Sequence, residues 1–128
     1  MKSIATMLVL CAAAWAGMPA ALAQGKYPER PIRLISPFPP GGTVDTNARI
    51  IAPAVSKSIG QQIVIDTRSG ASGIIGTAEA ARAKPDGYTL IINTTPMLTN
   101  TLMYSKVPYN VLKDFEEISI LSSTPSFV

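Results

Sequence analysis

Ile32-Arg33-Leu34-Ile35-Ser36-Pro37-Phe38-Pro39-Pro40-Gly41-Gly42-Thr43-Val44-Asp45 is the stretch on which the fold turns. Its first five residues form a short apolar run that reads as a buried strand. Three prolines stiffen the exit and two glycines free the backbone, because glycine permits angles and close approaches that a side chain blocks. Beyond them Val44, Ala48, Ile51, Ala52, Val55 and Ile59 fall on a single helical stripe, with Arg49, Ser56 and Lys57 off it. The spacing predicts a helix over Thr43–Ile59 that Gly60 ends. Pro53 lies inside it and removes one helical hydrogen bond, so a kink is expected there. A helix start presents unpaired N–H groups and the positive end of the helix dipole. Strand, glycine loop and helix start together make an anion-binding loop. Asp45, in the first turn, is where the dipole favours a carboxylate.

Working outward, Gln62–Asp66 is a β-branched run that predicts a second strand. A glycine-rich turn, Thr67–Gly73, leads into a helix over Ile74–Lys84, which Pro85-Asp86-Gly87 stops. Tyr88–Ile92 predicts a third strand, Asn93–Pro96 a hydroxyl-rich loop, and Met97–Met103 a short helix. Tyr104–Asp114 is irregular, and Phe115–Leu121 is expected to be a fourth strand with Ile118 and Ile120 on one face. Strands beginning near residues 32, 62 and 88 with helices between them specify the α/β class. The expected architecture is a parallel sheet with right-handed crossovers and flanking helices. Its strands should be apolar throughout, as strands buried on both faces are.

In such a sheet the loops leaving the carboxyl ends of the strands share one edge, and ligands bind there. Phe38–Thr43, Arg68–Gly73 and Asn93–Pro96 meet that condition. The first two offer glycine-freed N–H groups at helix starts, and the third offers the hydroxyls of Thr94 and Thr95. Each also has a plainer reading. Pro39–Gly42 is then a rigid turn, Asp45 a first-turn residue, Ser69–Gly73 a flexible connection, Thr94 and Thr95 caps, and Arg68 a solvated charge.

Composition excludes several classes. The 128 residues contain no histidine and one cysteine. Lys2, the apolar run Ile4–Met18 and Ala21-Leu22-Ala23 have the form of a secretory leader cleaved after Ala23. Cys11 lies inside that leader and follows Leu10, which does not suit lipidation. The mature chain therefore lacks thiol and disulfide chemistry, Ser-His-Asp and Cys-His catalysis, and most zinc sites. Eleven Lys and Arg face eight Asp and Glu, and ten remain once Lys2 is set aside. They form no basic run of the kind that binds nucleic acid or a membrane surface. A P-loop requires Lys and then Ser or Thr after its last glycine, whereas Gly42 is followed by Thr43-Val44. Gly70-Ala71-Ser72-Gly73-Ile74-Ile75-Gly76 echoes a dinucleotide turn. Its glycine spacing is different, though, and Ile92-Asn93 stands where an acidic residue is needed.

Tyr27–Asp45, Ile59–Ile65, Arg68–Gly73 and Lys84–Leu90 resemble the Bug family, as do Val107–Tyr109, Lys113–Phe115 and Ile118–Ile120. These are periplasmic solute-binding proteins of tripartite tricarboxylate transporters. The resemblance covers nearly all of the chain after the leader. It implies a type II periplasmic-binding fold of two α/β domains that close on a solute. Residues 24–128 are then the N-terminal solute-binding domain, truncated, after a signal peptide over 1–23. It implies capture of a small carboxylate in the periplasm, no catalysis and no cofactor. The implied partners are the membrane permease subunits of the transporter; nucleic acid is not among them, and the processed protein does not itself span the membrane. Phe38, Gly41, Gly42 and Asp45 would carry the first loop, Gly70, Ala71 and Gly73 the second, and Thr94 and Thr95 the family's small polar pair. Ser69 departs from the family, which shows proline after the arginine. The chain is also much shorter than family members. The alternative reading is a binding-incompetent fragment that folds poorly or associates, and a nucleotide-binding enzyme ranks below both.

Overall fold

The computed structural model describes residues 26–123. The leader with its cleavage box, Cys11 and the terminal Ser126-Phe127-Val128 lie outside the described residues. The elements are β1 (Ile32–Ser36), α1 (Thr43–Ile59), β2 (Ile63–Thr67), α2 (Ile74–Ala81), β3 (Thr89–Ile91) and α3 (Pro96–Met103). A short 3-10 turn, Ala71–Gly73, precedes α2.

The three strands form one parallel sheet in the order β2-β1-β3. Ile32 is level with Ile63 and Ser36 with Thr67 on one side of β1, and Arg33 with Thr89 and Ile35 with Ile91 on the other. Leu34 meets Val44, Ala48 and Ile92 in the core beneath α1, with Phe38, Ile63, Ile65 and Leu90 packed around them. Side chains alternate across a strand, so Ile35 projects to the opposite face, where it is fully buried. On that face α2 buries Gly76, Thr77 and Ala78.

β1 and α1 have the expected bounds. α1 runs without interruption through Pro53, which lies on the exposed side, and Gly60 closes it in the left-handed conformation with its N–H on the Ser56 carbonyl. The buried part of the stripe is Val44, Ala48 and Ala52, while Val55 is exposed. α2 ends at Ala81 instead of Lys84. Arg82 and Ala83 make three-residue turn bonds to Glu79 and Ala80, because Pro85 disfavours a helical Lys84. α3 starts one residue early at Pro96, where a missing N–H is harmless.

Two expectations fail. The sheet is not apolar throughout: Arg33 and Asp66 face α2 and form an ion cluster with Glu79 and Arg68. The segment 115–121 is not a strand, and Ile118 and Ile120 are 78% and 87% exposed. An extended segment becomes a strand only by pairing, and no strand of this sheet pairs with it.

Candidate functional site

The order β2-β1-β3 decides where the carboxyl-end loops can form a crevice. The chain crosses from β1 to one neighbour and then back past β1 to the other, so the loops after β1 and β3 diverge and leave a gap between them. A cavity of about 520 Å³ lies there, lined by Phe38, Pro39, Pro40, Gly42, Thr43, Val44 and Thr94. Among the described residues only the β1 and β3 loops line it, with the first residues of α1. The loop after β2 sits on the far side of β1, which is why Gly70, Ala71 and Gly73 do not line the cavity.

α1 begins at the cavity wall. Its first helical bond runs from the Thr46 N–H to the Gly42 carbonyl, so the amides of Thr43, Val44 and Asp45 precede the helical ladder. Gly42 is the N-cap and offers no side chain to those amides. Two of the three amides belong to cavity-lining residues. The helix dipole adds partial positive charge at the same end. The remaining lining is Phe38, Pro39, Pro40 and the exposed Thr94. Such a wall offers backbone N–H donors to an anion and apolar surface to its carbon chain.

The second loop supports this wall from behind. Gly70, Ala71, Ser72 and Gly73 all have positive φ, of 137°, 46°, 54° and 87°. Two successive non-glycine residues in the left-handed region are costly and persist only when their surroundings hold them. Those surroundings are identifiable. A Cβ on Gly73 would lie 3.1 Å from Cζ of Phe38, so the loop backbone packs on the ring that lines the cavity. Asn100 Nδ2 donates to the Ser72 carbonyl at 3.0 Å. Thr77 Oγ1 donates to the Gly73 carbonyl at 2.7 Å and accepts from Asn93 Nδ2 at 2.9 Å. Thr77, Asn93 and Asn100 thus tie the second loop to the third and to α3. Sequence reasoning missed all three, because a polar residue inside a helix or at a strand end carries no mark of a long-range bond.

Asp45 and Gly41 are spatially part of the first loop but do not line the cavity. The Asp45 side chain is 3% exposed. Its Oδ2 accepts from the Gly41 N–H at 3.0 Å and from Arg49 Nε at 2.8 Å. Its Oδ1 is buried and has no partner among the described residues. The Arg49 hydrogen bond, and after it the Gly41 N–H, hold this carboxyl below its usual range. Arg49 was equally missed, although the four-residue spacing from Asp45 on a helix was a signal for it. Thr95 stands outside the cavity, where its carbonyl accepts the first bonds of α3 from Leu98 and Thr99. Arg68 is occupied by Asp66 and Glu79.

Residues 47–128 match the family described as tripartite tricarboxylate transporter family receptor, TctC. The chain is 46% identical over 100 residues to a UPF0065 protein of Pseudomonas sp. (strain P51), covering 78% of this chain and 30% of that protein. It is 40% identical over 114 residues to Protein BugT of Bordetella pertussis, covering 88% of this chain and 35% of that protein. Among solved structures it resembles a periplasmic transporter, with 43% identity and a TM-score of 0.65 over 68% of this chain and 30% of that one. It also resembles an R. palustris protein solved with adipate, with 44% identity and a TM-score of 0.61 over 66% of this chain and 28% of that one. The chain spans about a third of the length of the relatives it matches. With the parallel sheet and the glycine loop in place, these matches show that the chain belongs to the TctC family of tripartite tricarboxylate transporter receptors.

Proposed function

We propose that this chain is one lobe of an extracytoplasmic solute-binding protein that captures a small carboxylate without chemically altering it. The observation that carries the reading is the uncapped start of α1, whose Thr43 and Val44 line the cavity between the β1 and β3 loops. A carboxylate there takes N–H bonds from a helix end at the sheet's switch point, and its carbon chain rests on Phe38 and the prolines. The adipate-bound relative supports a dicarboxylate of this kind. Gly41, Asp45, Gly70, Ala71 and Gly73 shape the wall from outside the cavity, and Thr94 borders the ligand. Export with loss of residues 1–23, and delivery of the solute to membrane permease subunits, complete the proposal. Calorimetric and thermal-shift titration of the full chain with adipate and citrate tests it. A rise in melting temperature with either acid is the expected result. No response to any carboxylate, together with a response to a nucleotide, contradicts it.

A second reading has its own observation. Leu98, Leu102, Met103, Leu112, Ile118 and Ile120 are all more than half exposed. A stretch of chain that leaves this many large apolar side chains exposed is a candidate interaction surface or aggregation liability. On this reading the chain by itself associates and does not bind solute. Sedimentation of the full chain as a monomer that binds adipate would overturn it.

A further inference from the structure

We propose that Arg49 is a positioning residue for the carboxylate site: by pairing with Asp45 it cancels the one negative charge built into the anion-binding loop. This deepens the proposed function and rests on it. The difficulty it resolves is electrostatic. A helix start that attracts an anion has a carboxylate of its own in the first turn, buried beside the residues that line the cavity. Left uncompensated, that charge repels the ligand the loop is shaped to hold.

The geometry shows how both requirements are met. Asp45 Oδ2 reaches back to the Gly41 N–H at 3.0 Å and so fixes the loop just ahead of the N-cap. The same oxygen receives Arg49 Nε at 2.8 Å. Among the described residues Oδ1 has no partner, and Arg49 is the only cation in ionic contact with Asp45. Arg49 itself is 59% exposed, lies one helical turn below the cavity rim and is not among the lining residues. It therefore acts on the ligand only through Asp45. The pair leaves the helix end with its dipole and free amides but no net side-chain charge.

The test is an NMR titration of the full chain with adipate, for the wild type, Arg49→Gln, Arg49→Lys, and Asp45→Asn combined with Arg49→Gln. Arg49→Gln is expected to weaken adipate about tenfold, the order of effect of one uncompensated unit charge near a protein surface. Added salt should shrink that difference. Arg49→Lys, which keeps the charge, should bind within about threefold of wild type. The double variant should recover most of the lost affinity, because removing the Asp45 charge removes the need for its partner. A purely structural Arg49 gives no such recovery. Wild-type affinity in Arg49→Gln, or a double variant no better than Arg49→Gln alone, overturns the inference and leaves the proposed function standing. A wild type that binds no adipate overturns both.

Discussion

A Cβ on Gly76 would come within 2.7 Å of the Arg68 carbonyl oxygen and 2.9 Å of both Cα and Cβ of Pro37. All but one of those atoms are backbone, which cannot swing aside as a side-chain end can. Gly76→Ala should therefore cost about 1–3 kcal/mol, as overpacked cores do. It should also weaken carboxylate binding, because Pro37 starts the loop that lines the cavity. Chemical denaturation checks the first effect and adipate titration the second. The glycine was visible in the sequence as the last of the Gly70–Gly73–Gly76 series, but its reason was not. A glycine that admits a neighbouring backbone looks, in sequence, like one that serves a nucleotide. Phe38, Gly42 and Thr94, which line the cavity, were legible as candidates because they follow a strand's carboxyl end. Asp45 was legible as a first-turn carboxylate and the i,i+4 spacing of Arg49 offered a partner for it, but its bond to the Gly41 N–H required the structure, since the direction of a side chain is set by the fold around it.

At the scale of elements, β1, β2 and α2 are joined by charge as well as by packing. Arg33 on β1 donates to Asp66 on β2, from Nε at 2.7 Å, and to Glu79 on α2. Arg68 adds a second cation 3.1 Å from Asp66. The Arg33 hydrogen bond leads the causes that hold the Asp66 carboxyl below its ordinary 3.8. A carboxylate with a lowered folded-state value contributes its stability above the ordinary value and loses it as pH falls toward the lowered one. Stability should thus decline on acidification below about pH 4, and Asp66→Asn should flatten that decline, as melting temperatures across pH 2–6 would show. Arg33→Ala should cost about 1–2 kcal/mol at neutral pH, below the figure for a fully buried pair because the cluster is about one-third exposed. At the opposite end of the sheet Tyr27 donates to the Gly87 carbonyl at 2.7 Å, and Arg30 lies 4.0 Å over the Tyr88 ring while pairing with Asp86. This clasp sets the lead-in to β1 beside β3, so Tyr27→Phe should lower stability by about 0.5–1.5 kcal/mol in urea unfolding. Element positions were largely readable from periodicity, prolines and glycines. The charged face of the sheet was not, because Arg33 and Asp66 are far apart in sequence and only the register brings them together. The expected strand over 115–121 shows the same limit: alternation describes a face, and pairing needs a partner that sequence pattern does not supply.

For the whole molecule the decisive feature is the order β2-β1-β3. Three carboxyl-end loops were foreseeable at one edge, but which two flank the cavity depends on strand order, and the spacing of strands along the chain does not carry it. The order places the β1 and β3 loops across a gap and sends the β2 loop behind Phe38, so the first and third line the cavity and the second braces its wall. The exposed apolar side chains over 98–121 predict self-association that rises with concentration. Sedimentation velocity from micromolar to millimolar chain should show it, and Leu102→Ser combined with Ile120→Ser should suppress it without altering adipate affinity. On the proposed function a carboxylate docks on the first amides of α1. Amide-resolved NMR of the full chain during adipate titration measures this directly. Saturable shifts at Thr43, Val44 and Thr94, with smaller ones at Gly41 and Gly73, are the expected result. Saturable shifts confined to other parts of the sheet, or none at any adipate concentration, would contradict it.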